Sequence, residues 1–562
     1  MRLPALFAAL ALLAPPALAQ DTPESLRAEA YEAAQWAMAS DAADALAKVS
    51  ARFAQGDNAL GQLAETRERL IAERDALERR LEQLYAEGQP AAERRAEART
   101  RYEQVLAELT AADAAIQTSF PAYADLTSPR ALSVQETQAL LKPDEALLLV
   151  LVNPEAAYVW GVSSDRIAWA RAADLGEEGM TAAVAALRQS LTTTASRGDP
   201  SFDPALFAGR TAAAFDRATA HRLYKQLVEP VEAVFEGKTT LITVTTGALT
   251  TLPLAVLSTA PPQGSDSAPE ALAATPWLID RYALATLPSV SSLKALRCHL
   301  TTRPVGGCPN GTQGVEEPMR LRSGGVQLAA FGAPVLAGAP QDATRGAPLA
   351  DSILGEGRLA DVERLRALPY LPGSKAELDT LKARFTRAVV RTGPEATETA
   401  LKGPDAPSLA QARFVVFSTH GLMAGATAGE PGLVLTPPSE ATDLDDGYLS
   451  ASEAAQMRLQ ADFVVLSACN TAASDGRPGG EGLSGLARAF FYAGAKSLLV
   501  SHWEVSDAAT SQLILDTFGA LDGDDPADRA RALQTAMRAV RAERRWNHPA
   551  FWAAFTLVGE PR

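Results

Sequence analysis

The sequence predicts an α/β protein, a sheet with flanking helices behind a helical amino-terminal region, and three observations predict it. First, two short apolar runs, Phe414-Val415-Val416-Phe417 and Phe463-Val464-Val465-Leu466, are rich in β-branched and aromatic residues and close on small polar ones. Runs of this kind read as buried parallel strands, whose carboxyl ends are where such sheets place their sites. Second, strand-like and helix-like segments alternate ahead of them: Val326 to Phe331, a helix from Ser374 to Phe385, and a strand from Ala388 to Arg391. Third, Asp21 to about Ser119 is Ala, Glu, Arg and Leu with almost no Pro or Gly, a helical composition by propensity.

Within the first stretch, Leu63, Leu70, Leu77 and Leu84 recur every seven residues. Gly88-Gln89-Pro90 interrupts, and Tyr102, Val105, Leu106, Leu109 and Ile116 resume at helical spacings. A helical hairpin after one or two shorter helices is expected, its stripe buried within the chain or against a protein partner. After Thr118 to Pro129 the pattern turns to strands, with Leu147 to Val152 and Tyr158 to Val162 joined by the turn Asn153-Pro154-Glu155. A helix over Ala218 to Phe235 and a strand at Leu241 to Val244 follow. Ser258 to Pro276, Arg303 to Gly325 and Gly338 to Gly357 are rich in Pro, Gly and Ser and read as exposed loops. Helices are expected over Ala508 to Phe518 and Ala527 to Arg545.

A chain of 562 residues calls for two to three domains, and 47% apolar with 21% charged residues fits a globular protein. The net charge of -15 disfavours nucleic acid, which needs clustered Lys and Arg. Residues 1–19 carry Arg2, an apolar Leu6 to Leu13 and the small-x-small Ala17-Leu18-Ala19, the pattern of a cleaved signal peptide. No other apolar run reaches the roughly 20 residues of a membrane-spanning helix, so a periplasmic or extracellular protein without a membrane span is expected. In that compartment thiols pair, and Cys298 and Cys308, close together around a Pro and Gly-rich turn, can pair with each other and leave Cys469 odd.

Chemistry concentrates at the ends of the two strands. His420-Gly421 follows the first run and Cys469-Asn470 the second. If the strands are neighbours, an imidazole and a thiol face each other, the kit of a thiol nucleophile with a general base. The plain alternative is a buried, inert thiol and a structural histidine. His502, after Leu498-Leu499-Val500, competes for the role of base. Glu504 and Asp507 lie just past that strand and are candidate acids of a substrate pocket, with a helix cap as the other reading of Asp507. Gly479-Gly480-Glu481-Gly482 lacks the Lys-Ser/Thr of a phosphate-binding loop, so no nucleotide, metal or other cofactor is expected.

With its His-Gly and Ala-Cys strand ends, its strand, glycine and Leu-Pro pattern at 241–254, and Trp277 to Tyr282, the chain resembles CHAT-domain proteins, clan CD cysteine peptidase relatives of caspases and separases. The resemblance runs from about Leu126 to the carboxyl terminus. It implies a caspase-like three-layer sandwich in which 126–325 is a pseudo-caspase half and 326–562 the catalytic half, after a helical region at 20–120. Helical repeats often precede this domain, although no 34-residue repeat is visible here. It further implies a cysteine endopeptidase with His420 and Cys469 as the catalytic pair. The N–H groups of Gly421 and Cys469 would form the oxyanion hole. In separases, which accept Arg before the scissile bond, a segment similar to Trp503-Glu504-Val505-Ser506-Asp507 occurs, so cleavage after basic residues is expected. A catalytically silent scaffold or interaction module is the alternative.

Overall fold

The computed structural model describes residues 23–38, nine positions between 66 and 84, and residues 92–119, 131–191, 214–299, 305, 307, 308, 325–338, 359–422, 431–468, 471, 485–503, 506–521 and 527–562. The expected signal peptide lies outside these residues, as does most of the Pro and Gly-rich sequence at 303–325 and 338–357.

The amino-terminal strands are β1 (Glu145–Val152), β2 (Ala157–Ser163), β3 (Ile167–Ala172), β4 (Thr240–Thr245) and β5 (Ala283–Thr286). Beyond residue 325 come β6 (Leu328–Gly332), β7 (Ala388–Thr392) and β8 (Phe414–Ser418). A small sheet follows, made of β9 (Gly421–Leu422), β10 (Gly432–Val434) and β11 (Tyr448–Ser450). Last are β12 (Phe463–Ser467), β13 (Ser497–Ser501) and β14 (Phe555–Gly559). All but the small sheet's strands join one 11-stranded sheet in the order β3-β2-β1-β4-β5-β14-β13-β12-β8-β6-β7.

Strands β6, β7, β8, β12 and β13 are mutually parallel. β14 runs antiparallel to β13 but parallel to β5, and β5, β4 and β1 share its direction. The parallel set on one side of β14 therefore points opposite to the set on the other. Its carboxyl ends open at one edge, where the His420 and Cys469 strands end.

Both faces of the sheet are covered, so the strands read as continuous apolar runs rather than alternating ones. Successive residues feed opposite cores: Ala146, Leu148 and Val150 of β1 enter one, Leu147, Leu149 and Leu151 the other. Helices α1 (Pro23–Ala37) and α3 (Val134–Leu140) contribute to the second core, whereas α4 (Glu177–Leu191), α5 (Arg217–Leu227) and α6 (Pro372–Arg384) contribute to the first. Likewise α7 (Ala451–Gln456) and α8 (Gly485–Ala493) lie on the second face, and α9 (Asp507–Ala520) and α10 (Arg529–Ala542) on the first. This is the three-layer α/β/α sandwich expected. Each fully buried Leu, Val or Phe stabilises it by about 1.5–3 kcal/mol.

The local sequence sets the boundaries. Ser133 with Glu136, and Ser450 with Glu453, form capping boxes that start α3 and α7. The single helix expected over Ala218 to Phe235 is instead α5 followed by a 3-10 turn, Glu229–Phe235. Pro230 lacks the N–H that an unbroken helix would use. Near the amino terminus, α2 (Ala92–Ser119) packs Val105, Leu109 and Ala112 against Leu70 and Leu77, and Arg101 pairs with Glu73 at 2.7 Å. Of the leucine stripe, Leu70 and Leu84 are buried and Leu77 is partly buried beside Leu70, whereas Leu63 lies outside the described residues. Cys298 and Cys308 form a disulfide with Cα atoms 5.5 Å apart, and Cys469 is the third cysteine of the chain. Among the described residues no helix is long and apolar enough to cross a membrane.

Candidate active site

The two apolar runs are adjacent parallel strands, paired from Phe414↔Phe463 through Ser418↔Ser467. His420 lies two residues beyond Ser418, and Cys469 is two residues beyond Ser467 in sequence. β6 ends on the same level, with Gly332 paired to Ser418. A side chain at Gly332 would overlap the Ser418 carbonyl oxygen, so only glycine lets these two strand ends approach so closely.

His420 is fully buried. Its carbonyl accepts from the Val434 N–H at 3.0 Å, and its ring Nε2 lies 2.8 Å from the Pro369 carbonyl oxygen. A carbonyl only accepts, so Nε2 carries the proton and Nδ1 is the nitrogen able to take up and release one. The Pro369 carbonyl is itself fixed, because its turn is tied to the loop after β6 by Ala337 N–H to Arg366 O and Gly338 N–H to Leu368 O at 2.7 and 3.1 Å. No sequence signal points to Pro369, since what it supplies is a backbone oxygen.

Gly421 opposes Leu433 across the β9–β10 ladder. The flanking bond from Val434 N–H to His420 O makes this a non-hydrogen-bonded pair, so the ladder leaves the Gly421 N–H pointing away from β10.

Cys469 and Asn470 lie outside the described residues, as do Gly479 to Gly482 and Glu504. The residues on either side of the cysteine are described. Ser501, at the end of β13, donates to the Ala468 carbonyl at 2.6 Å, and its N–H donates to Thr471 Oγ1 at 2.8 Å. One buried serine thus holds both approaches to Cys469, a role that the sequence did not signal.

The remaining candidates separate clearly. His502 directly follows β13 at the same edge, but its Nε2 is 3.0 Å from Thr556 Oγ1 on β14. Burial, with Arg188 alongside, pushes it down to about 3, so it stays neutral in ordinary buffers. Asp507 is buried in the first turn of α9, which begins one residue earlier than expected. Its carboxylate accepts from Gly373 N–H at 2.6 Å, at the start of α6. It therefore binds the amino-terminal turn of a neighbouring helix, an arrangement not foreseen from sequence. Among the described residues no group of three His, Cys, Asp or Glu side chains is arranged to hold a metal ion.

A family profile described as CHAT domain matches residues 217–560. Tetratricopeptide repeat protein 28 of Mus musculus is 27% identical over 302 residues, which cover 51% of this chain and 11% of that protein. Tetratricopeptide repeat protein 28 of Homo sapiens is 32% identical over 121 residues, 22% of this chain and 5% of that protein. The chain therefore matches only a small part of the length of either relative. Among solved structures, the Saccharomyces cerevisiae separase–securin complex aligns over 80% of this chain and 33% of that one, at 11% identity and a TM-score of 0.40. The Arg-specific cysteine proteinase gingipain R aligns over 61% of this chain and 66% of that one, at 10% identity and a TM-score of 0.29.

Proposed function

The chain belongs to the CHAT-domain family, and from that premise we propose that it is a cysteine endopeptidase whose dyad is His420 and Cys469. The observation that carries this reading is the level pairing of Ser418 with Ser467, with the base and the thiol each two residues further on. In the proposed reaction His420 Nδ1 takes the thiol proton and the thiolate attacks the scissile carbonyl. The oxyanion that forms is met by the N–H groups of Gly421 and Cys469. The imidazolium then gives its proton to the departing amine, leaving an acyl-enzyme. Water, deprotonated by His420, cleaves that thioester and restores the thiol.

The test is incubation of the full chain with a diverse peptide library. Cleavage with new amino termini supports the peptidase. No cleavage, together with no capture of Cys469 by a peptidyl electrophile, rejects it in favour of a silent scaffold. Export follows from residues 1–19, and mass spectrometry of protein recovered from the periplasm or medium should find an amino terminus near Gln20. A mature chain still beginning at Met1 would reject cleavage of a signal peptide. The substrate is proposed to be protein, with the helical region at 20–120 as the surface for a protein partner.

Within this reading the enzyme prefers Arg or Lys before the scissile bond, with Glu504 and Asp507 as the acids of the pocket. A basic side chain offsets a desolvated carboxylate, and the planar Arg fork does so bidentately. Asp507→Asn keeps an oxygen able to accept from Gly373 N–H while removing the charge. Cleavage after Arg should drop by tens of fold or more, about 2–5 kcal/mol for one side of a buried charge pair, with little change in melting temperature. An unchanged preference would mean that Asp507 serves only to join α9 to α6.

A further inference from the structure

We propose that Glu377 is a positioning residue for the dyad, holding the end of the nucleophile's strand through the Ser467 hydroxyl; the proposal rests on the peptidase reading above. Glu377 lies on α6 and is fully buried. Ionised or neutral, a buried carboxyl group is costly unless hydrogen bonds compensate it, so its presence under the strand ends calls for a role. Ser467 Oγ donates to Glu377 Oε2 at 3.2 Å. Ser467 is the last residue of β12 and the register partner of Ser418, and the Thr419 N–H donates to its carbonyl at 3.3 Å. A bond to Ser467 therefore acts on both strand ends at once, two residues before the thiol and beside the residue preceding the base.

The segment 369–377 meets the site three times. Pro369 O accepts from His420, Gly373 N–H donates to Asp507, and Glu377 accepts from Ser467. The helix behind these contacts cannot easily shift, because Leu378 and Leu381 are buried in the core beneath it. Base, nucleophile strand and pocket segment thus share one rigid reference, the start of α6. Such sharing matters because a misplacement of about 1 Å can cost roughly 100-fold in rate.

The experiment compares the full-length chain with Glu377→Gln, Glu377→Leu, Ser467→Ala and the Leu/Ala double variant on one cleaved peptide, measuring kcat, KM and melting temperature. Gln retains an acceptor for the hydroxyl, so its kcat should stay within about threefold of the parent. Leu and the Ser467 variant should each lose about 10- to 100-fold in kcat with KM little changed, as expected of a displaced reacting group. The double variant should be no worse than the poorer single one, because both remove the same link. Full kcat in Ser467→Ala, a loss confined to KM, or additive losses would overturn the proposal. If Glu377→Leu fails to fold, Ser467→Ala and Glu377→Gln decide it, since they remove one hydroxyl and one charge. An inactive parent overturns the peptidase reading and this proposal with it, whereas an active parent with unaffected variants overturns this proposal alone.

Discussion

Cys469→Ala is expected to leave a folded protein with no measurable peptide cleavage, and His420→Ala to lose about 100- to 10,000-fold, the range for a general base. In the proposed dyad the cysteine change removes the atom that forms the acyl bond and takes away a single sulfur, so stability should hold. The histidine change leaves the thiol in place but without Nδ1 to receive its proton. Its residual rate should therefore climb with pH as the thiol ionises unaided toward the usual value of about 8.5. His502→Ala should cost less than about tenfold, since a group lowered to about 3 is too weak a base to take up the thiol proton at neutral pH. The checks are kcat/KM across pH and covalent capture of Cys469 by a peptidyl electrophile. Retained turnover in Cys469→Ala ends the dyad reading, and a reversed ranking of the two histidines moves the base to His502.

The elements nearest the chemistry were the most legible, and the reason is physical. β8 and β12 are buried on both faces, so each is written as an unbroken apolar run, and both runs close on serine at the same register level. Equal lengths with equal closures forecast level ends once the strands proved to be neighbours. β14 was missed because Phe555-Thr556-Leu557-Val558-Gly559 follows directly on a short helical turn with no loop signal between them. Its antiparallel insertion, which reverses the direction of the sheet, is a long-range pairing that local pattern does not encode. The supports of the site were hidden for another reason. Pro369 acts through a carbonyl that any residue has, Ser501 and Glu377 act through partners far away in sequence, and Asp507 caps a helix 134 residues earlier. Read against its own helix, Asp507 offers a pocket acid or a local cap, and neither reading points to its bond with the Gly373 N–H at the start of α6.

Arg297→Met is expected to destabilise the protein by about 3–5 kcal/mol at neutral pH, the cost of stripping a buried charge of its partner. All five guanidinium donors are used. Nη1 and Nη2 reach the two oxygens of Glu145 at 2.6 and 2.8 Å, Nε and Nη2 reach those of Glu560 at 2.9 and 3.0 Å, and Nη1 also reaches Leu140 O at 2.6 Å. Glu145 opens β1 and Glu560 directly follows β14, while Arg297 sits beside Cys298 of the disulfide. The cluster thus clasps the end of the chain to the amino-terminal strands, and without the cation two carboxylates remain buried together. Burial alone would raise the Glu560 carboxyl, but Arg297, with Lys142 beside it, overrides that and holds it at about 2. Since an unfolded Glu titrates near 4.3, the stabilisation from Glu560 is complete above about that pH and is lost as pH falls through about 2. The gap between parent and variant should accordingly narrow on acidification, because without Arg297 burial raises the Glu560 carboxyl and protonation then neutralises it in the variant, while the parent loses its own Glu560 stabilisation below about 4. His502, held neutral in the fold, adds its own loss of stability as pH falls below the ordinary histidine range. That loss is common to both proteins and cancels in the difference. Denaturant midpoints measured from pH 7 down to pH 3 test this. A difference under about 1 kcal/mol, the worth of an exposed ion pair, or a gap that widens in acid would show that the cluster does not carry the clasp.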